Sequence, residues 1–187
     1  MKFSMKKVTV LLADGFEEIE ALTVVDLLRR AKVYVDTVSI TDDYTVRGAH
    51  GIPVQTEDLI TEIDFKESAM IVLPGGMPGT TNLKEDENVR KAVQEAYDDG
   101  RYVAAICAAP TILADMGLLK GKRATCYPDM ESEIEDAYLT GAPVATDENI
   151  ITSQGVGTAI DFALKLIEVL ISEEKAVEIA DSIVYQR

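Results

Sequence analysis

Apolar residues along the chain fall into two arrangements that take turns from one end to the other. Short continuous runs, Val8–Ala13 and Ala69–Leu73, have the length of strands buried on both faces. Between such runs the apolar positions space out by three and four. Ala21, Val24, Val25, Leu28 and Ala31 thus mark one face of a helix over Glu17–Ala31. The alternation continues with a strand over Val33–Ile40, a turn-rich extended excursion over Thr45–Glu57, and a helix over Asn88–Asp99 closed by Gly100. A strand over Tyr102–Ile106 leads into a helix over Ala109–Met116, closed by Gly117. Further strands are expected over Arg123–Cys126 and Asn149–Ser153, and two helices over Thr158–Ile183 with a break near Ser172. There is no internal repeat and no linker-like run, so residues 1–187 read as a single domain. Repeated β–α alternation predicts an α/β fold with a mostly parallel sheet covered on both faces. Sites in such sheets form at the carboxyl ends of strands. Three strand-to-helix junctions are candidates: Asp14-Gly15-Phe16-Glu17-Glu18-Ile19-Glu20, Pro74-Gly75-Gly76-Met77-Pro78-Gly79 and Cys107-Ala108-Ala109-Pro110.

Composition narrows the chemistry. Of the 187 residues 47% are apolar and 27% charged, an ordinary globular balance. A net charge of −15 argues against nucleic acid and anionic membrane as partners, because phosphate binding needs a basic surface. No apolar run approaches the ~20 residues of a membrane span, and the short polar stretch Met1–Lys7 has no secretory pattern. Two separated cysteines, Cys107 and Cys126, form no C-x-x-C, and a reducing cytoplasm is the expected location. His50 is the sole histidine, so zinc sites built from several histidines are excluded and no metal or other cofactor is expected. Its turn-rich surroundings predict a solvated side chain.

Several familiar motifs fail. Gly155-Val156-Gly157 follows a strand, but a dinucleotide fingerprint would need glycine where Ile160 stands. Gly121-Lys122-Arg123 lacks the upstream glycine and the hydroxyl residue of a phosphate loop, and no G-x-S-x-G occurs. Cys107 is different. It ends a strand, has Ala104, Ala105, Ala108 and Ala109 around it, and precedes Pro110, a residue suited to a first helical turn. At the amide end of a helix a thiolate gains up to ~2 kcal/mol. That gain would bring a thiol of pKa ~8.5 down to about 7. The competing view is an inert buried thiol, the ordinary state of cysteine.

At these residues the chain resembles the ThiJ/PfpI superfamily, and within it the DJ-one/ThiJ group that includes the parkinsonism-associated deglycase. Four ordered motifs carry the resemblance: Asp14–Glu20, Leu73-Pro74-Gly75-Gly76, Ala104-Ala105-Ile106-Cys107-Ala108-Ala109-Pro110 and Thr152-Ser153-Gln154-Gly155. The resemblance implies a flavodoxin-like three-layer sandwich and a homodimer. It makes Cys107 the reactive cysteine, Glu20 its carboxylic acid partner, and the amides of Gly76 and Ala108 an oxyanion-binding pair. Gly75, Cys126 and Tyr127 are added as pocket or redox candidates. Periodicity alone does not select Glu20, and it leaves Glu17 and Glu18 as acidic decoration of a helix start.

Two negative charges ~4 Å apart repel by ~4 kcal/mol at an effective dielectric near 20. Glu20 and Cys107 are therefore expected to share one proton, held by the carboxyl beside a thiolate. Two departures from the family pattern bear on activity. The residue after the cysteine is Ala108 where the protease-like branch has histidine, and Tyr127 stands where the T-H-P segment has histidine. Peptidase activity is not expected. Two functions remain. One is addition of Cys107 to a reactive carbonyl, a 2-oxoaldehyde or a glycated protein. The other is a redox-responsive, chaperone-like role through oxidation of Cys107, with Cys126 either a resolving thiol or a small buried strand residue.

Overall fold

The computed structural model describes residues 6–186; the expected polar lead-in lies, for residues 1–5, outside them. The first β–α–β unit runs β1 (Lys7–Leu12), α1 (Glu18–Arg30) and β2 (Tyr34–Ser39). The extended excursion that follows is an antiparallel hairpin, β3 (Thr45–Arg47) and β4 (Pro53–Gln55), ahead of the short β5 (Asp58–Leu59). Next come β6 (Ser68–Leu73), α2 (Gly79–Glu85), α3 (Glu87–Asp98), β7 (Tyr102–Ile106) and α4 (Pro110–Asp115). The chain ends with β8 (Arg123–Ala124), β9 (Tyr138–Leu139), β10 (Val144–Asp147), β11 (Ile150–Ser153), α5 (Ala159–Leu170) and α6 (Glu173–Ser182).

Seven strands form one sheet in the order β10-β11-β7-β6-β1-β2-β5, parallel throughout except for the β10–β11 pair. Alternate residues of each buried strand feed opposite faces. Val8, Val10, Leu12, Val72, Ala104 and Ile106 pack with α1, α5 and α6; Leu11, Ile71, Leu73, Val103 and Ala105 pack with α3 and α4. The result is the expected helix–sheet–helix sandwich. Among the described residues no helix is long and apolar enough to cross a membrane.

Local chemistry explains most element ends. Asp86 caps α3 by accepting from Val89 N–H at 2.9 Å, and Ser172 breaks the C-terminal helices by accepting from Lys175 N–H at 3.2 Å. Several elements differ from expectation, among them α2, β10 and β8. Helix α2 offers only Leu83 as a large buried side chain, so it leaves no apolar stripe. Strand β10 is a polar edge with Ala145 its only fully buried residue. The strand expected over Arg123–Cys126 stops at Ala124 and pairs only with β9, because Thr125 N–H turns to the Thr152 hydroxyl at 3.0 Å.

The strand order reverses between β1 and β6, so the loops leaving these two strands meet at a switch point. They are sewn together by Glu17 N–H to Gly75 O at 2.8 Å and Gly79 N–H to Gly15 O at 3.2 Å.

Candidate active site around Cys107

Cys107 is the first residue beyond β7, and it sits in the left-handed region at φ +65°. For a non-glycine residue this is a strained setting, held here from both sides. Its N–H donates to Ser153 O at 3.0 Å, and its carbonyl accepts from Tyr127 N–H at 2.8 Å. The chain then turns through two buried alanines into α4, which has Pro110 in its first turn as expected.

Glu20 lies in the first turn of α1 and is wholly buried. Its Oε2 accepts from Gly75 N–H at 2.9 Å. Its Oε1 is buried without a hydrogen-bond partner, and the Cys107 thiol beside the carboxyl favours its anion. Gly75 permits the approach, since a Cβ there would lie 2.6 Å from Cys107 Cβ and 2.7 Å from Glu20 Oε2. The N–H groups of Ala108 and Gly76 bear on the sulfur and favour its anion.

The electrostatics correct the expected low thiol pKa. Burial, then the charge of Glu20 and its hydrogen bond, push the Cys107 thiol up to about 12 against the two amides. Helix α4 has only six residues, and its amide end is the weaker influence. Burial likewise pushes the Glu20 carboxyl up to about 7; Cys107 and Gly75 N–H oppose it and the charge of Glu17 assists. The two groups titrate as a unit. One proton leaves near 7, and the negative charge left behind holds the other until about 12. A proton on Glu20 Oε1 would satisfy that otherwise orphaned atom by pointing it at sulfur.

Cys107 opens on a hollow of about 440 Å³ whose walls include Glu17, Glu20, Tyr127, Gln154 and Val156. Tyr127 is half exposed there. Cys126 is not part of it. Its thiol is buried, donates to Tyr127 O at 3.3 Å, and is pushed up to about 12 by burial and then by Glu131 and Glu133. It packs with the α3–α4 layer, whereas Cys107 borders the layer of α1 and α5. A larger hollow of about 590 Å³ lies past Ala108, between α2 and α4, where Lys84 and Arg90 both pair with Asp115.

Glu17, Glu18 and His50 are more than helix decoration and a solvated side chain. Glu18 is 4% exposed; its Oε1 accepts from His50 N–H at 2.8 Å and Ile52 N–H at 3.3 Å. The His50 Nδ1 lies 2.9 Å from Glu18 Oε2 and 3.5 Å from Glu17 Oε2. Burial works against ionising Glu18, but the His50 ring and these N–H groups outweigh it and hold its carboxyl below the usual range. The hydrogen bond to Glu18, then the charges of Glu17 and Glu18, raise His50. This is the one cluster of potential metal-ligating side chains among the described residues, but Glu18 is engaged by its own hydrogen bonds. No sequence pattern links a helix start to a turn more than thirty positions later, so this cluster was not legible beforehand.

The DJ-1/PfpI family model matches residues 6–169. Protein DJ-1 homolog B of Arabidopsis thaliana is 39% identical over 186 residues, covering 98% of this chain; the chain spans only 42% of that relative's length. The glutathione-independent glyoxalase DJ-1 of Schizosaccharomyces pombe is 33% identical, with 91% of this chain and 94% of the relative covered. The crystal structure of a DJ-1 superfamily protein from Salmonella typhimurium superposes with a TM-score of 0.93 at 35% identity, covering 98% of this chain and 100% of the other. The order of the four motifs, the switch-point geometry and these matches agree: the chain belongs to the DJ-1/PfpI family.

Proposed function

We propose that this protein acts on reactive carbonyls, with Cys107 as nucleophile and Glu20 as its proton partner. The observation that carries this reading is the buried Glu20 carboxyl, engaged with the Cys107 thiol and pushed up to about 7, with two backbone N–H groups on the sulfur. A carboxyl with that pKa both gives and takes a proton near neutrality. The Glu20 carboxylate takes the Cys107 thiol proton as sulfur adds to the aldehyde carbon of a 2-oxoaldehyde, and a C–S bond forms. The C=O electron pair moves to oxygen, which takes the Glu20 proton. The Gly76 and Ala108 amides stabilise the developing oxyanion. The Glu20 carboxylate then removes the proton on that carbon and returns it to the neighbouring one, while the hydroxyl proton passes to the adjacent oxygen, giving a thioester; water hydrolyses it to the 2-hydroxy acid and returns the Cys107 thiol. The sequence is redox-neutral, and no step needs the missing family histidine. The glyoxalase activity named for the Schizosaccharomyces pombe relative supports this substrate class.

The test is methylglyoxal consumption. Cys107→Ala should fall to the uncatalysed rate, and Glu20→Gln should lose at least ~100-fold, the scale of general acid–base catalysis. Turnover that survives Cys107→Ala overturns the reading. No turnover by the unmodified protein, together with stoichiometric oxidation of Cys107 by peroxide, favours the redox-responsive role instead.

We also propose a homodimer working in the reducing cytoplasm. Ile19 and Leu22 lie one turn apart on α1 and are exposed, and Ile52 is exposed in the turn that Glu18 holds against the same helix start. These three exposed apolar side chains, near the start of α1, are of the kind a subunit contact would cover. Light scattering at micromolar concentration should give twice the chain mass, and Ile52→Glu should shift it toward monomer. A monomer for the unmodified protein rejects the proposal.

A further inference from the structure

We propose that His50 is a positioning residue for the Cys107–Glu20 pair and acts through Glu17. Its imidazolium, carried on the β3–β4 turn, offsets the Glu17 carboxylate at the mouth of the hollow and so sets how readily the pair loses its first proton. The inference rests on Cys107 and Glu20 reacting as a pair.

Three features place His50 for this role. First, Glu17 belongs to both environments: it lines the hollow with Cys107 and Glu20, and its Oε2 lies 3.5 Å from His50 Nδ1. Second, the histidine is held. Glu18 accepts from the N–H groups of His50 and Ile52 and meets the ring at 2.9 Å. Gly48 packs so close that a Cβ would lie 2.3 Å from Glu18 Cδ. Third, two carboxylates face one imidazole, which favours its cation. On the same turn Arg47 donates to Gly51 O at 2.8 Å, and Asp14 accepts from Arg47 N–H at 2.8 Å. On the hollow side Glu17 faces Glu20, Cys107 and Tyr127.

The sign follows from charge. The Glu17 carboxylate opposes a second negative charge on Glu20 or on sulfur. A cation at His50 cancels much of that opposition. When His50 loses its proton, the field at the pair becomes more negative and the pair ionises less readily. Nothing in this requires His50 to touch substrate, and its side chain, 68% exposed, lies on the outer side of Glu17.

The experiment is the pH dependence of iodoacetamide alkylation at Cys107, read by peptide mass spectrometry so that buried Cys126 is scored separately. His50→Gln should raise the midpoint by about half a pH unit at low salt, the scale of one charge at this range near a protein surface. The shift should shrink in ~1 M salt. His50→Lys, which keeps a permanent cation there, should restore the low midpoint. Glu17→Gln should lower the midpoint, and His50→Gln added to it should lose most of its effect, since the two act together. An unchanged midpoint in His50→Gln overturns the proposal. So does a His50→Lys protein that behaves like His50→Gln, because a merely structural histidine would give that result. Glu20→Gln separates the two levels: if it leaves the midpoint unmoved, the pair itself is wrong. If Glu20→Gln moves the midpoint and the His50 variants do not, only the role of His50 fails.

Discussion

A carboxyl that keeps its proton until about 7 affects folding as well as chemistry. In the unfolded chain Glu20 ionises near 4.5, so between 4.5 and 7 the folded state holds a proton that the unfolded state has released. Stability must then fall as pH rises through that window, by about 3 kcal/mol for this one group. Glu18 and Glu57 work in the opposite direction, because their folded-state carboxyls are held low. A comparison with Glu20→Gln removes those common contributions. Urea unfolding of both proteins at pH 4.5 and 7.5 should show the Gln variant gaining on the unmodified protein as pH rises. A constant difference would mean that burial does not hold the proton on Glu20. Legibility at this scale was uneven. Cys107 stood out because a strand, small neighbours and Pro110 surround it. Glu20 needed the family resemblance, since helical periodicity places it at the margin of the apolar face. Glu17 and His50 acquire their significance only in three dimensions.

Among the elements, the two loops at the switch point determine whether the site exists. Gly75 lies where β6 ends, against both Cys107 and Glu20, and no space remains there for a methyl group. Gly75→Ala should force the two side chains apart, cost ~1–3 kcal/mol as overpacking does, and lower Cys107 reactivity out of proportion to that loss. Thermal melts together with alkylation rates check this; a stable variant with ordinary reactivity would refute it. Strands buried on both faces were the most legible elements, because continuous apolar runs such as Val8–Leu12 have few other uses. Helix α2 and strand β10 were illegible for the converse reason: each buries too few large side chains to impose a period on its sequence.

For the whole molecule, the α/β sandwich follows from the alternation of elements, but the order of its strands does not. Strand β1 lies between β6 and β2, and nothing in its own sequence names those neighbours. That order brings the start of α1, with Glu17 and Glu20, against the loop carrying Gly75 and Gly76. It also leaves β10 and the short β5 as the two edges.

The placement of the two cysteines decides what becomes of damage. Cys107 and Cys126 pack with different layers, and the buried Cys126 thiol is bonded to Tyr127 O, so a sulfenic acid on Cys107 is expected to meet no ready second thiol. If Cys107 oxidises as the redox reading expects, repair would fall to a small thiol or a partner able to enter the hollow; peptide mapping after mild peroxide should find Cys126 still free, and a Cys107–Cys126 cross-link would refute this.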